Sequence, residues 1–226
     1  MNAPIPTDGA VTADGRRLRR DRNRDAVVQA LLSLYNDGNL DPSTEEIAAR
    51  SGVSARSLFR YFDDVDDLCS AAIAQQQENV RHLLPLSATP DEPLAVRIAA
   101  LVRQRGELFE AIESAAMVSR LRAPFQLVVA DRLTEGRSFL RQQIGTLFAR
   151  ELGQMPEQVA AARLAAADVI ASFESWRLLR DDQRLSIAAA SNAISESLTT
   201  LFTIPIDEGP INEGPSHEGP SQEGAR

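Results

Sequence analysis

Residues 43–62, STEEIAARSGVSARSLFRYF, leave this chain few ways to fold locally, because they spell two short helices hinged on a glycine. Ser43 is placed to cap the first helix and Glu46, three residues on, to reach back to the cap, while Pro42 prevents an earlier start. Ile47 and Ala48 form its inward side, the small Ala48 allowing a second helix to cross closely. Gly52 stands where the chain must leave the helix through left-handed φ, Val53 plugs the corner, and Ser54 is a fresh N-cap. Leu58 and Phe62, four apart, give the second helix one buried edge. Its other edge presents Ala55, Arg56, Ser57, Phe59, Arg60 and Tyr61, with no acidic residue between Arg50 and Phe62. This is the layout of a helix-turn-helix whose second helix faces DNA.

A formal charge of −8 argues against nucleic acid until it is divided along the chain. Residues 1–62 carry nine arginines against eight acids, whereas 63–226 carry fifteen against twenty-four. Arg16, Arg17, Arg19, Arg20, Arg22 and Arg24 crowd together just ahead of the first expected helix, and every basic residue in the chain is arginine. Phosphate attraction is screened beyond about 10 Å at moderate salt, so a basic edge works on an acidic molecule. The single cysteine, Cys69, rules out an internal disulfide and reads as a small buried group in a reducing compartment. No basic-then-apolar leader opens the chain, and no apolar run approaches the roughly 20 residues of a membrane span, so a cytoplasmic protein without a membrane partner is expected.

Alanine and leucine are plentiful and strand-like alternation is nearly absent, so the fold class is all-α. Residues 1–15 read as a disordered arm and 16–62 as the helix-turn-helix domain, with its first helix over about 20–37, burying Val27, Val28, Leu31, Leu34 and Tyr35. A helical domain over 63–204 follows. Its helices are expected over about 63–84, from Leu94 through Ile112, over 114–122, 125–152, 157–180 and 185–202, with Pro85, Pro90, Pro93, Pro124 and Gly153 marking breaks. The last two helices carry alanine-rich faces, which suit close approach and make residues 157–202 the candidate homodimer interface. Residues 205–226 repeat Glu-Gly-Pro every five residues with almost nothing apolar, and read as a disordered acidic tail.

The pattern Thr44-x-x-Ile47-Ala48-x-x-x-Gly52-Val53-Ser54, then Leu58-Phe59-Arg60-Tyr61-Phe62 and an acidic helix start, closely resembles the N-terminal domain of TetR-type transcriptional regulators. The detailed resemblance covers about residues 20–75. It implies a DNA-reading domain joined to a helical effector-binding and dimerisation domain, acting as a homodimer on a palindromic double-stranded operator, with repression as the usual mode. It further implies that Thr44 and Tyr61 donate to phosphates, that Ala55, Arg56 and Ser57 face base edges, and that Arg60 serves backbone or base. Ser54 and Phe59 complete the DNA-facing set, with Arg16, Arg17, Arg19 and Arg20 as a basic arm. An unidentified small-molecule effector is implied in the second domain, with Phe109, Met117, Arg120, Phe173 and Trp176 as candidate ligand contacts.

The sequence departs from the family where Phe59 replaces a tyrosine hydroxyl and where Val65, flanked by Asp63, Asp64, Asp66 and Asp67, replaces a lysine. The aspartates contain the spacing DDxxD, which resembles the Mg²⁺ site of all-helical isoprenoid synthases, and carboxylates three and four apart on a helix can share a hard cation. A second such motif is lacking. His82 and His217 are the only histidines, which argues against histidine-based triads and metal sites. A non-enzymatic protein without catalytic residues, cofactor or metal is expected, the rival being a helical dimeric module that binds a small molecule or protein but not DNA.

Overall fold

The structure is a computed structural model that describes residues 8–204. Ten α-helices follow one another: α1 (Asp8–Asn36), α2 (Thr44–Ser51), α3 (Ala55–Leu58), α4 (Val65–Val80), α5 (Leu94–Arg122), α6 (Leu127–Leu147), α7 (Ala149–Leu152), α8 (Glu157–Ile170), α9 (Phe173–Arg177) and α10 (Ile187–Thr203). No strand occurs among the described residues, in agreement with the all-α reading. The expected acidic tail at 205–226 and the first seven residues of the expected arm lie outside the described residues.

Several expected boundaries are corrected. α1 starts at Asp8 rather than near Arg20, so residues 8–15 are helical backbone and the arginine run rides on the helix. Pro6 is the last proline before α1, and arginine, alanine and leucine tolerate a helix well enough to carry it past Gly9 and Gly15. The two helices expected around Ile112 and over 114–122 are one, α5, because nothing between them lacks an amide or needs special φ. Conversely, the helix expected over 157–180 is cut at Ala171–Ser172. Ser172 accepts the Ser175 amide as a new N-cap, α9 follows, and Leu178–Asp182 close in a π-helical turn. Likewise α6 stops at Leu147, with α7 continuing to Leu152.

Two apolar cores form. The first holds Val27, Leu31, Tyr35, Ile47, Leu58 and Phe62, but it also takes Leu68 and Ala72 from α4 and Val118 from α5. The second surrounds α5 with Leu101, Phe109, Ile144, Phe148, Trp176 and Leu198, and reaches back to Val80 of α4. The expected division after Phe62 therefore runs through a shared core rather than a linker. Gly106 lets the Trp176 ring close on α5, since a Cβ there would sit 3.0 Å from Cη2. Arg163 satisfies the last carbonyls of α10, donating to Leu201 and Ile204.

Arg97 of α5 is a demanding core residue, being charged and only 2 % exposed. It donates to the Glu92 and Leu147 carbonyls at 2.8 Å and forms a two-pronged pair with Glu151 of α7 at 2.8 and 2.5 Å. That pair holds the Glu151 carboxyl below its ordinary range. Removing one member of such a pair strands the other. Glu151→Ala is accordingly expected to cost about 3 kcal/mol of stability in urea unfolding, with the slope of the transition unchanged.

Candidate DNA-facing surface and cavity

The turn between α2 and α3 is built as its residues dictate. The Ser43 hydroxyl accepts the Glu46 amide, while the Glu46 carboxylate accepts the Ser43 amide at 2.7 Å and the Ser43 hydroxyl at 2.8 Å, and these two bonds to the carboxylate hold it low. Gly52 sits at φ 70, and Ser54 caps α3 by accepting from the Ser57 amide. Its hydroxyl also donates to the Ser57 hydroxyl at 2.8 Å. The second helix was expected to continue through Tyr61. Instead it tightens after Leu58 into bonds from the Arg60 amide to the Ser57 carbonyl and from the Tyr61 amide to that of Leu58. Leu58 and Phe62 are buried, whereas Arg56, Phe59 and Arg60 are exposed and Thr44, Ala55, Ser57 and Tyr61 are half-buried.

The arginines divide into two sets. Arg24, counted in the arginine run by sequence, faces inward: its guanidinium donates to the Tyr61 carbonyl at 2.7 Å, grips both Asp67 oxygens at 3.2 and 2.8 Å, and lies over the Phe62 ring at 4.5 Å. Arg50 is spent on Asp37 and Ser33. By contrast Arg17, Arg19, Arg20, Arg56 and Arg60 are exposed and have no acidic partner within 4 Å among the described residues. Arg17 and Arg20 share the α1 face of Arg24 at helical spacing, so they extend toward the α2–α3 side. Arg16 lies on the α1 backbone just ahead of them. Asn23 donates to the Tyr61 hydroxyl oxygen at 2.7 Å, which leaves that hydroxyl's own proton free.

The aspartates are committed to structure, against the metal-site alternative. Asp64 caps α4 by accepting the Asp67 amide at 2.7 Å, Asp67 takes Arg24 and the Asp63 amide, and Asp66 accepts from Gln126 at 3.0 Å. The Arg24 contact is the main cause that keeps the Asp67 carboxyl low. No cluster of three metal-binding side chains is found among the described residues.

A cavity of about 610 Å³ opens between α4, α5 and α6, and Leu32 and Tyr35 of α1 close one end. Its walls are chiefly apolar, with Ile73, Leu108, Ile112 and Leu133 among them, and Ala115, Ala116 and Gly136 leave the volume unfilled. Of the five candidate ligand residues, Phe109, Arg120 and Phe173 line it. Met117 and Trp176 do not, since Met117 packs against the second core and Trp176 is 1 % exposed with its indole N–H on Glu110 at 2.8 Å. Sequence reading passed over Tyr35, Arg122 and Arg137, which do line it. The only trace of them was small residues facing arginines across α5 and α6. Cys69 lies at the same wall, buried as expected, and burial pushes its thiol up.

Residues 29–72 match the family described as bacterial regulatory proteins, tetR family. Those residues are a TetR-family helix-turn-helix domain, made of the end of α1, α2, α3 and the first half of α4. A comparison with curated protein sequences finds no match. Among solved structures, a tetR-family transcriptional regulator from Streptomyces coelicolor superposes with TM-score 0.58 at 19 % identity, covering 80 % of each chain. A transcriptional regulator from Rhodococcus sp. Rha1 does so at 0.60 and 14 % identity, over 82 % of this chain and 99 % of the other. The multidrug binding protein EbrR complexed with ethidium gives 0.53 at 22 % identity, over 83 % and 99 %. These likenesses carry the fold beyond the matched domain. No described helix is long and apolar enough to cross a membrane.

The cavity wall carries an unbalanced ion group. Arg120 Nε at 2.9 Å and Arg137 Nη2 at 2.5 Å both donate to the same oxygen of Glu174 on α9. Arg120 also lies 4.2 Å from the centre of the Phe173 ring, which meets Phe109 edge-on at 5.6 Å. Burial by itself would raise the Glu174 carboxyl, but hydrogen bonds and charge from Arg120, with help from Arg137, hold it at about 2. A depressed carboxyl stabilises the fold above its unfolded range and loses that contribution as pH falls toward the folded value. Between about pH 4.5 and 2, the urea midpoint of the wild-type protein should therefore fall more steeply than that of Glu174→Gln, and the two curves should converge.

Proposed function

We propose that this protein is a ligand-responsive repressor that binds a palindromic operator as a homodimer. The observation that carries the reading is the cavity's position: it is walled at once by α5 and α6 of the second domain, by α4, and by Leu32 and Tyr35 of the DNA-reading domain itself. An occupant that fits better at one α4 position than another shifts the spacing of the two heads, and a ligand acts on an equilibrium only through such a difference. The route for such a shift is the packing of Leu32, Tyr35 and Ala72, which belong both to the smaller core and to the cavity wall, with surface links from Arg122 to Asp41 at 3.1 Å and from Gln126 to Asp66 beside it. The reading is of a non-enzymatic protein, and in the DDxxD stretch Asp64 is taken up by the α4 cap and Asp67 by Arg24.

On the DNA side, Arg17, Arg19 and Arg20, with Arg16 ahead of them, supply phosphate contacts from the α1 extension, and Thr44 and Tyr61 donate hydroxyls. Ala55, Arg56 and Ser57 meet base edges, Ser54 and Phe59 flank them, and Arg60 serves the backbone. Arg56 is exposed, unpaired and near the α3 N-terminus, where a guanidinium can bond guanine O6 and N7 together. Operator selection from genomic fragments followed by gel shift should show Arg56→Ala losing about 1–3 kcal/mol and its preference at one half-site position. Retention of full sequence preference would remove Arg56 from that role.

Two heads are needed because one short recognition helix covers too few base pairs for specific binding. α8 and α10 pack on each other and leave outward Ala161, Ala162, Ala165 and Ala188 exposed, together with Val169 and Ile187. Small side chains and exposed aliphatic groups on paired helices suit a four-helix interface with a second copy. Sedimentation should find a dimer for the wild type and a monomer with weakened operator binding for Val169→Glu/Ile187→Glu.

A further inference from the structure

We propose that the ligand of this cavity is an amphipathic organic anion, its apolar body lying against Phe109 and Leu133 and its acidic head held between the Arg120 and Arg137 guanidinia. The inference deepens the reading of the cavity as the effector site and rests on it. Its ground is the charge balance of the wall. Glu78 and Glu135 also line the cavity, but each is paired with an arginine three residues away, Arg81 and Arg132. Arg122 is balanced by Asp41. Arg120 and Arg137 instead divide one carboxylate, Glu174, and both bond its same oxygen. One unit of positive charge is left over at the cavity wall.

The remaining donors are available for a second anion. Arg120 uses Nε on Glu174 and Nη1 on the Ala116 carbonyl, and Arg137 uses Nη2 on Glu174, so Arg120 Nη2 and Arg137 Nε and Nη1 have no hydrogen-bond partner among the described residues. Two guanidinia facing one acceptor group form the fork that suits a carboxylate or other planar oxyanion. Behind the wall, Arg105 is 1 % exposed, donates to the carbonyl of cavity-lining Leu140, and has no acidic side chain within 4 Å among the described residues. Its charge adds to the same local field. A cationic guest would meet repulsion from this group, whereas the apolar remainder of about 610 Å³ accepts a hydrocarbon or fused aromatic body.

Matched probes isolate the head group: decanoate, decanol and decylamine, then naphthylacetate, naphthylethanol and naphthylethylamine, titrated at neutral pH by calorimetry and thermal shift on the full chain. The acid is expected to bind at least about tenfold more tightly than the alcohol in one series or both, with the amine weakest. Arg137→Gln, at a half-exposed side chain, should bring acid and alcohol within about threefold of each other. Glu174→Gln should act in the opposite direction and tighten the acid alone, because it frees both guanidinia. A merely structural role for the group would weaken all three probes together. Equal binding of acid and alcohol, or preference for the amine, would overturn the anion assignment while leaving the cavity as an effector site. Failure of every probe to bind would overturn both.

Discussion

Helix α4 belongs to two hydrophobic cores at once, and the working of the whole molecule depends on that sharing. Leu68 and Ala72 are buried among Val27, Leu31 and Phe62 of the DNA-reading domain, while Val80, two to three turns on, packs into the larger core with Leu101 and Phe109. α5 returns the arrangement by lending Val118 to the smaller core. Close-packed interiors do not deform smoothly, so a helix held at both ends moves as a unit or not at all. A guest between α4, α5 and α6 thus presses on the same rod that sets the attitude of α2 and α3. The cavity and the DNA surface are two ends of one packed object.

A chain without lysine has to do both structural and recognition work with arginine, and the structure separates the two by geometry. Arg24, Arg97 and Arg163 have partners that need a planar fork: a carboxylate with a carbonyl, or two carbonyls at a helix end. Arg17, Arg19, Arg20, Arg56 and Arg60 are left in solvent, on α1, on α3 and in the turn that follows α3. The acidic cluster at the start of α4 loses one of its four charges to this arrangement, since Arg24 pairs with Asp67, while Asp66 accepts a hydrogen bond from the neutral Gln126. Arg24, half-buried over Phe62, thus offsets one carboxylate beside the basic face and leaves that face one arginine fewer.

What could be read from the chain alone follows from the range of the interactions concerned. The caps and glycine turn of the helix-turn-helix were legible in the sequence, though not the tightening after Leu58, because their determinants are local: a capping box three residues wide, a glycine in left-handed φ, and an i,i+4 apolar edge. The break at Ser172 was hidden because its cause is tertiary; Phe173 and Trp176 must both reach the core, which an uninterrupted helix from α8 does not supply. The long reach of α1 to Asp8 was missed for the opposite reason, since weak helix formers such as Gly9 and Gly15 carried more weight in the reading than the alanines and arginines around them. In the cavity, sequence picked the aromatic and arginine residues by type and found three of five on the wall. Trp176 was the instructive error, as the largest apolar side chain is the one best used to fill a core, not to border a void.

The polar links between cavity and DNA-reading domain are too weak to be the transmission. Arg122 meets an Asp41 side chain that is 96 % exposed, and exposed pairs of this kind contribute about 0.2–1 kcal/mol. The Gln126–Asp66 bond at 3.0 Å is neutral on one side and also at the surface. An allosteric response of ordinary size requires about 1–3 kcal/mol of coupling, and two such contacts do not reach it with room to spare. The apolar seam does: Tyr35, Leu32 and Ala72 each have one side in the smaller core and another on the cavity wall. Repacking any of them changes the burial of whole methyl and ring groups, at about 0.8 kcal/mol for each CH₂. On the proposed reading, coupling between the cavity and the DNA-reading domain is therefore a property of shared packing rather than of the two surface links.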